Sequence, residues 1–181
     1  MAIIAGFAIS EILAGWGRSL LRSGGVHYSG LQFLASLTLL FMTVRYIWTL
    51  WNFRSIEWLF GSFVLVLVPI LTIALAAHVI SIPSPHAADA DRAYFDRARP
   101  FFLLLAAVTI SWTLYDLANI SVLRNSFPQE MNTTVSVLRA AGTPAFLWLA
   151  YTRQRSHHWV VLGATFASLV YLSVRALPAL S

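Results

Sequence analysis

Six long apolar segments, separated by short polar loops, constrain this chain more than any other feature of its sequence. They lie at about 2–20, 31–51, 57–82, 100–122, 133–151 and 158–177. About 20 helical residues, each rising about 1.5 Å, cross the hydrocarbon layer of a membrane. The composition agrees, because 10% of the residues are charged, whereas soluble domains carry about 25%. The sequence therefore predicts an all-α, polytopic integral membrane helical bundle, with six transmembrane helices in a single domain over residues 1–181.

The first apolar segment admits a second interpretation, because Glu11 and three glycines interrupt it. An amphipathic helix that lies in the headgroup layer would also explain this pattern and would leave five spanning helices. The segment does not resemble a secretory signal, since no basic residues precede it and no clear cleavage site follows it. We expect it to remain on the mature protein.

The distribution of arginine predicts the orientation, because short loops rich in basic residues stay in the cytoplasm. The loops after the first, third and fifth segments hold Arg18, Arg22, Arg92, Arg97, Arg99, Arg153 and Arg155, whereas the opposite side holds Arg54, Arg124 and Arg175. This bias predicts that both termini lie outside. The sequence contains arginine but no lysine, which is typical of a GC-rich bacterial genome. We therefore expect this protein to lie in the inner (plasma) membrane of a bacterium.

The basic character of the chain does not indicate a nucleic-acid partner. The net charge of +5 follows from the arginine bias, and the sequence has no basic stripe with interleaved aromatic residues on a soluble domain. The expected partners are the lipid bilayer, a small ion or solute, and further copies of this chain. Small residues such as those at Gly163 and Ala167 suit helix packing between copies.

The longest loop, at 84–100, has helix-stopping prolines before it and Pro100 at its end. The segment "DADRAYFDRAR" within it predicts a short surface helix with Tyr94 and Phe95 facing the membrane. Pro100 is suited to the first turn of the helix that follows. We therefore expect the surface helix and the fourth transmembrane helix to be separate elements.

A weak internal similarity suggests a repeat. "RSIEWLFGSF" at 54–63 and "RSHHWVVLGATF" at 155–166 open the third and sixth segments with the same Arg-Ser-x-x-Trp pattern. Such a similarity predicts halves at 1–83 and 100–181, with three helices each in opposite orientations, as in many transporters. Chance similarity between two apolar helix starts is the alternative explanation.

Charged residues inside the apolar segments form the main candidate site. The predicted cluster contains Glu11, Arg45, Asp116 and Arg139, with Tyr115 and Asn119 as polar neighbours on the fourth segment. Counted along spanning helices, the arginines and Asp116 reach similar depths in the outer half of the membrane, and Glu11 lies near the midplane. Ionisable groups in membranes face the bundle interior and pair with one another. The cluster therefore predicts a polar pathway, or alternatively a structural brace with arginines that snorkel to the headgroups.

The histidines form a second candidate site. His78, His27 and His157 fall on the predicted cytoplasmic side, where two of them could hold haem b or a metal ion. No spacing typical of a metal site supports this interpretation. We therefore expect no cofactor, with haem b as the alternative.

The remaining motifs exclude several classes of enzyme. The chain has no cysteine and no lysine, so thiol chemistry, retinal and pyridoxal Schiff bases are excluded, and no nucleotide-binding motif is present. The sequence predicts a homo-oligomeric channel or transporter for an ion or small polar solute. The alternative is a module that does not transport, either a haem- or metal-binding redox protein or a subunit of a membrane assembly.

Overall fold

A computed structural model describes residues 2–21, 27–52, 60–82, 84, 89–118 and 129–176. These residues form six helices: α1 (Ala2–Leu21), α2 (Gly30–Asn52), α3 (Phe60–Ile80), α4 (Ala90–Ala118), α5 (Gln129–Tyr151) and α6 (Arg155–Ala176). The described segments contain no β-strand, and an isolated antiparallel bridge joins His27 to Ser84. The prediction of an all-α fold is confirmed, and each helix covers most of one apolar segment.

Three helices are long and apolar enough to cross a membrane. By length and composition these stretches are Ile3–Leu20 in α1, Gly30–Thr49 in α2 and Arg155–Val174 in α6, and α3 has a shorter apolar stretch at Val66–Ile80. This pattern indicates a membrane protein. The first helix, which the sequence left between two interpretations, is among the three. Six spans remain a prediction, because three of the six described helices meet this criterion of length and composition.

The helices form a closed arrangement around an apolar core. α4 packs along α3 on one side and α5 on the other, α2 packs on α3 and α6, and α1 lies against α2 and α3. The centre contains fully buried side chains such as Leu39, Ile70, Phe101, Phe102 and Leu105. α5 and α6 are consecutive in the chain but contact each other only over a short stretch. The space between them contributes to the site described below.

The two predicted halves pack differently among the described residues. α1 packs on α3, whereas no Cα atoms of α4 and α6, the corresponding pair in the second half, come within 8 Å of each other. The repeated Arg-Ser-x-x-Trp pattern at residues 54–58 lies outside the described residues. The repeat therefore stays a prediction.

The predicted surface helix and fourth transmembrane helix are one continuous element. α4 begins at Ala90 and runs through Pro100 to Ala118, so the expectation of two separate helices was wrong. Tyr94 is fully buried and Phe95 is half-buried, so Tyr94 does not face the membrane as expected. The reason is that α6 covers this end of α4, as the contacts of Tyr94 with His158 show.

α1 is positioned by a close approach at Gly15. A Cβ atom there would lie 2.8 Å from the carbonyl oxygen of Ser81 and would overlap the hydroxyl of Tyr28. That hydroxyl donates a hydrogen bond of 2.8 Å to the same carbonyl, and burial raises the pKa of Tyr28 to about 12, so the proton stays in place. The indole Nε1 of Trp16 donates to the Ser36 hydroxyl at 2.8 Å. These contacts bring residue 15 of α1 to the level of the end of α3.

We expect Gly15→Ala to destabilise the protein, because the added methyl group meets backbone that cannot move without shifting α3. Overpacking of this kind costs about 1–3 kcal/mol. Gly17→Ala is the matched control, since a Cβ atom at Gly17 meets nothing within 4 Å and a helical alanine is more stable than glycine by roughly 0.5–1 kcal/mol. Thermal unfolding in mild detergent would measure both variants. Equal melting temperatures of Gly15→Ala and Gly17→Ala would show that α1 does not pack on α3 through Gly15.

Candidate functional site

A cavity of 380 Å³ lies between α2, α4, α5 and α6, with Ile73 of α3 as a further lining residue. We call it the four-helix cavity. Its walls are mostly aliphatic and aromatic, with contributions from Met42, Val108, Trp112, Phe146 and Leu169, among others. Ligand sites in proteins have volumes of about 300–1,000 Å³ and are mostly apolar, with a few polar groups that fix the ligand. The four-helix cavity has this character.

Arg45 supplies one charged group of the cavity. Its guanidinium donates a long hydrogen bond, 3.4 Å, to the hydroxyl of Ser173 on α6. A guanidinium has five N–H donors, and no described carboxylate lies within ion-pair distance of Arg45. Arg45 also lies within the apolar stretch Gly30–Thr49. A cation at such a position costs at least about 2.5–3.5 kcal/mol on insertion scales, so a group that pairs with the guanidinium would stabilise it there.

Arg139 supplies a second guanidinium from α5. Its Cζ atom lies 4.9 Å from the centre of the Trp112 ring, a distance at which the electron-rich face of an indole attracts a cation. Tyr46 contacts the same indole edge-on, with ring centres 5.2 Å apart. α2, α4 and α5 thus meet through Trp112, which holds Arg139 against one wall of the cavity.

The hydroxyl groups around the cavity are satisfied largely within the protein. Thr165 donates to the carbonyl of Val161, and Ser173 to that of Leu169, each one helical turn earlier. The hydroxyls of Thr109 and Thr143 lie 2.8 Å apart and join α4 to α5. The two guanidinium groups are therefore the strongest hydrogen-bond donors among the described lining residues.

The structure brings together two of the four predicted cluster residues. Arg45 and Arg139 line the same cavity. Glu11 lies elsewhere, with its carboxylate 3.5 Å from Nδ1 of His78. Asp116 and Tyr115 are on α4, but their side chains fall outside the described part of the structure, and Asn119 lies wholly outside it. Sequence reasoning missed Ser173, which carries no signal beyond being a serine in an apolar helix.

The predicted histidine site is dispersed among separate contacts. His78 pairs with Glu11, His27 exchanges backbone hydrogen bonds with Ser84, and the ring of His157 lies 4.4 Å from that of Trp148. Within the segments that the structure describes, no three histidine or acidic side chains group as a metal site would require. The alternative of haem b stays a prediction without support from these positions.

A different histidine, His158, is the fully buried one among the histidines that the structure describes. Its Nδ1 lies 2.8 Å from the hydroxyl of Tyr94, and its Nε2 lies 3.0 Å from the carbonyl oxygen of Thr152. The imidazole also contacts the rings of Phe95 and Phe102 edge-on. This arrangement joins α6 to α4. The sequence pattern "SHHW" does not show which of its two histidines points inward.

The fold and the site together define a helical membrane protein with an arginine-bearing cavity between four helices. Comparison of the chain with models of protein families, with curated proteins and with solved structures finds no match. The function of the protein is therefore inferred from the residues of the cavity.

Proposed function

We propose that this protein is a membrane transporter or channel for a small anionic solute, with the four-helix cavity as its binding site. The observation that supports the proposal is the environment of the Arg45 side chain. Its guanidinium faces a cavity inside an apolar helix bundle, and a single long hydrogen bond to Ser173 is its described side-chain partner.

An anion in the cavity would offset the cost of placing Arg45 there. Hydrogen bonds between a guanidinium and an anion are charge-assisted and stronger than neutral ones, and the planar fork of donors matches carboxylate and phosphate oxygens. Arg139 on the facing helix adds a second positive group to the same space. A cation would be repelled by Arg45, so this position favours an anion over the other ions and polar solutes that the sequence allowed.

Snorkelling of Arg45 to the headgroups is the competing explanation. The guanidinium of Arg45 instead donates to Ser173 on α6, and Arg45 lines the cavity wall. A brace between α2 and α6 would need only that contact. The cavity beyond it, with room for a ligand, favours a binding role.

We further propose that several copies assemble in the inner membrane of a bacterium, with both termini outside. A Cβ atom at Gly163 would meet nothing within 4 Å, and Ala167, one turn later, is exposed. Two small residues on an outward face of α6 permit close approach of another helix. A bundle of 20.1 kDa is thin for enclosing a continuous pore alone, which also favours an oligomer.

Flux measurements in liposomes would test the role of Arg45. Vesicles containing the protein, valinomycin and potassium salts of chloride, nitrate or acetate would swell as fast as the anion crosses, which light scattering follows. We expect Arg45→Met to lower the flux at least about tenfold, because a charge-assisted hydrogen bond is worth about 1.5–3 kcal/mol and 1.4 kcal/mol is a factor of ten.

Arg92→Ala is the matched control, since Arg92 is exposed and does not line the cavity. It should keep the wild-type flux. If the Arg45→Met protein folds and keeps the wild-type flux, Arg45 has a structural role and does not bind the transported anion. Wild-type vesicles no more permeable than empty ones to all three anions would reject transport of small anions.

A further inference from the structure

We infer that the natural ligand of the four-helix cavity is a single-chain amphiphile with one anionic head group, such as a medium-chain carboxylate. This inference rests on the anion site proposed above and adds the chemical class of the ligand. It follows from how the polar and apolar parts of the cavity are arranged, from its opening, and from its volume.

The charged and apolar parts of the cavity lie at different levels along α6. Arg45 binds Ser173, near the last turn of this helix, whereas Val160 and Val161 line the cavity near its first turns. The lining residues of α6 run from Val160 to Leu172, which corresponds to about 18 Å at 1.5 Å per residue. A head group held at Arg45 would therefore leave a long apolar groove for a chain.

The groove is free of charged groups among its described residues beyond the two arginines. Its lining includes Ala145 and Phe146 of α5 and Ala164 and Leu169 of α6. Thr165 and Ser168 are the polar lining residues that α6 contributes, and Thr165 donates its hydroxyl proton to its own helix. An inorganic anion would leave these apolar walls without a partner, whereas an alkyl chain would cover them.

The cavity is open at its side, between α5 and α6. Val160 is 69% exposed, and Ala141 and Ala164 on the two walls are also exposed although all three line the cavity. α5 and α6 make few contacts with each other. In a membrane, such an opening faces lipid, so an amphiphile could enter sideways with its chain leading along the groove.

The volume of the four-helix cavity limits its ligand to a small molecule with a single chain. An apolar cavity of about 150 Å³ holds one benzene molecule, so 380 Å³ accommodates a ligand of roughly a dozen non-hydrogen atoms. A two-chain phospholipid is far larger than this space. A carboxylate with about eight carbons fits it.

Binding of a homologous series in lipid nanodiscs would test the inference. Thermal stabilisation by sodium acetate, butyrate, hexanoate and octanoate gives the half-saturating concentration of each. We expect this concentration to fall roughly tenfold for every two added methylene groups, because each buried methylene contributes about 0.8 kcal/mol. Octanol and octylamine, which have the chain but no anionic group, should stabilise the protein far less than octanoate.

Two variants locate the ligand. Arg45→Met should weaken octanoate binding at least about tenfold, and Ala164→Phe should weaken it by filling the groove. Val174→Phe is the matched control on α6, since Val174 is exposed and outside the cavity lining. If Arg45→Met does not fold, Ala164→Phe against Val174→Phe still decides the location.

The outcomes separate this inference from the proposal of transport. Equal binding of acetate and octanoate would contradict the inference that the ligand is an amphiphile. It would not contradict the proposal that the protein transports small anions. Equal stabilisation by octanol and octanoate would overturn the anionic head group, and unchanged octanoate binding in Ala164→Phe would overturn the groove. Octanoate binding that follows the expected series, in a protein without anion flux, would support the inference and contradict transport.

Discussion

Replacement of His158 by alanine is expected to lower the free energy of unfolding by about 3–5 kcal/mol, the range found for large-to-small changes at buried aromatic positions. The imidazole is fully buried and packs against Phe95 and Phe102. Its removal leaves a cavity and also leaves the hydroxyl of Tyr94 and the carbonyl of Thr152 without their described partner. Unfolding by SDS from mild detergent micelles would measure the loss.

The protonation of this pair follows from its hydrogen bonds. The carbonyl of Thr152 can only accept, so Nε2 of His158 carries a proton and donates it. Burial raises the pKa of Tyr94, so its hydroxyl keeps its proton and donates to Nδ1 of the neutral ring. His158→Phe should retain the ring packing and lose these two bonds, for a cost of about 1–3 kcal/mol.

His157→Ala is the control, because the neighbouring residue is only half-buried and its ring contacts Trp148 instead. It should cost much less than His158→Ala. If the two alanine variants were equally stable, α6 would not pack on α4 through His158, and the position of Tyr94 would have to be different.

The second large effect is expected for Gln32→Leu, with a loss of about 1–3 kcal/mol, because the carbonyl of buried Ile80 loses its side-chain donor and a buried polar group left unpaired costs about this much. Gln32 is fully buried in α2. Its side-chain Nε2 donates to the carbonyl oxygens of Ile80 and Ile82, at 2.7 and 2.8 Å. Ile80 is the last residue of α3, where the helix itself provides no donors, whereas the carbonyl of Ile82 also accepts from the guanidinium of Arg97.

Gln154→Leu is the control for the same change at an exposed position, where substitutions usually lie within about 0.5 kcal/mol. Gln32→Glu sharpens the test, because a carboxylate oxygen in place of Nε2 would face two carbonyl oxygens. We expect this variant to be less stable at neutral pH than in acid, where the carboxyl group is protonated and can donate. A Gln32→Leu protein as stable as the wild type would mean that the hydrogen bond from Gln32 to the carbonyl of Ile80 does not stabilise the end of α3.

The sequence by itself determined where the helices lie, because that information is local. Apolar runs of helical length, bounded by loops with prolines and polar residues, predicted six helices whose bounds agree with the structure at most ends. The exception is α4. The sequence predicts that this helix begins at Pro100, whereas it begins at Ala90. Proline favours a first turn, but a helix also tolerates it within its length at the cost of one hydrogen bond, and the sequence does not distinguish these cases.

The tertiary structure decided which polar side chains meet. The depth argument from the sequence assumed that every helix starts at the same level, whereas the close approach of Gly15 to Ser81 shifts α1 along its axis and brings Glu11 to His78. Likewise, the rotation of α6 turns His158 inward and aims Ser173 at Arg45. Hydropathy depends on each segment alone, but axial shift and rotation depend on contacts between segments distant in sequence, so only the packed helices fix them.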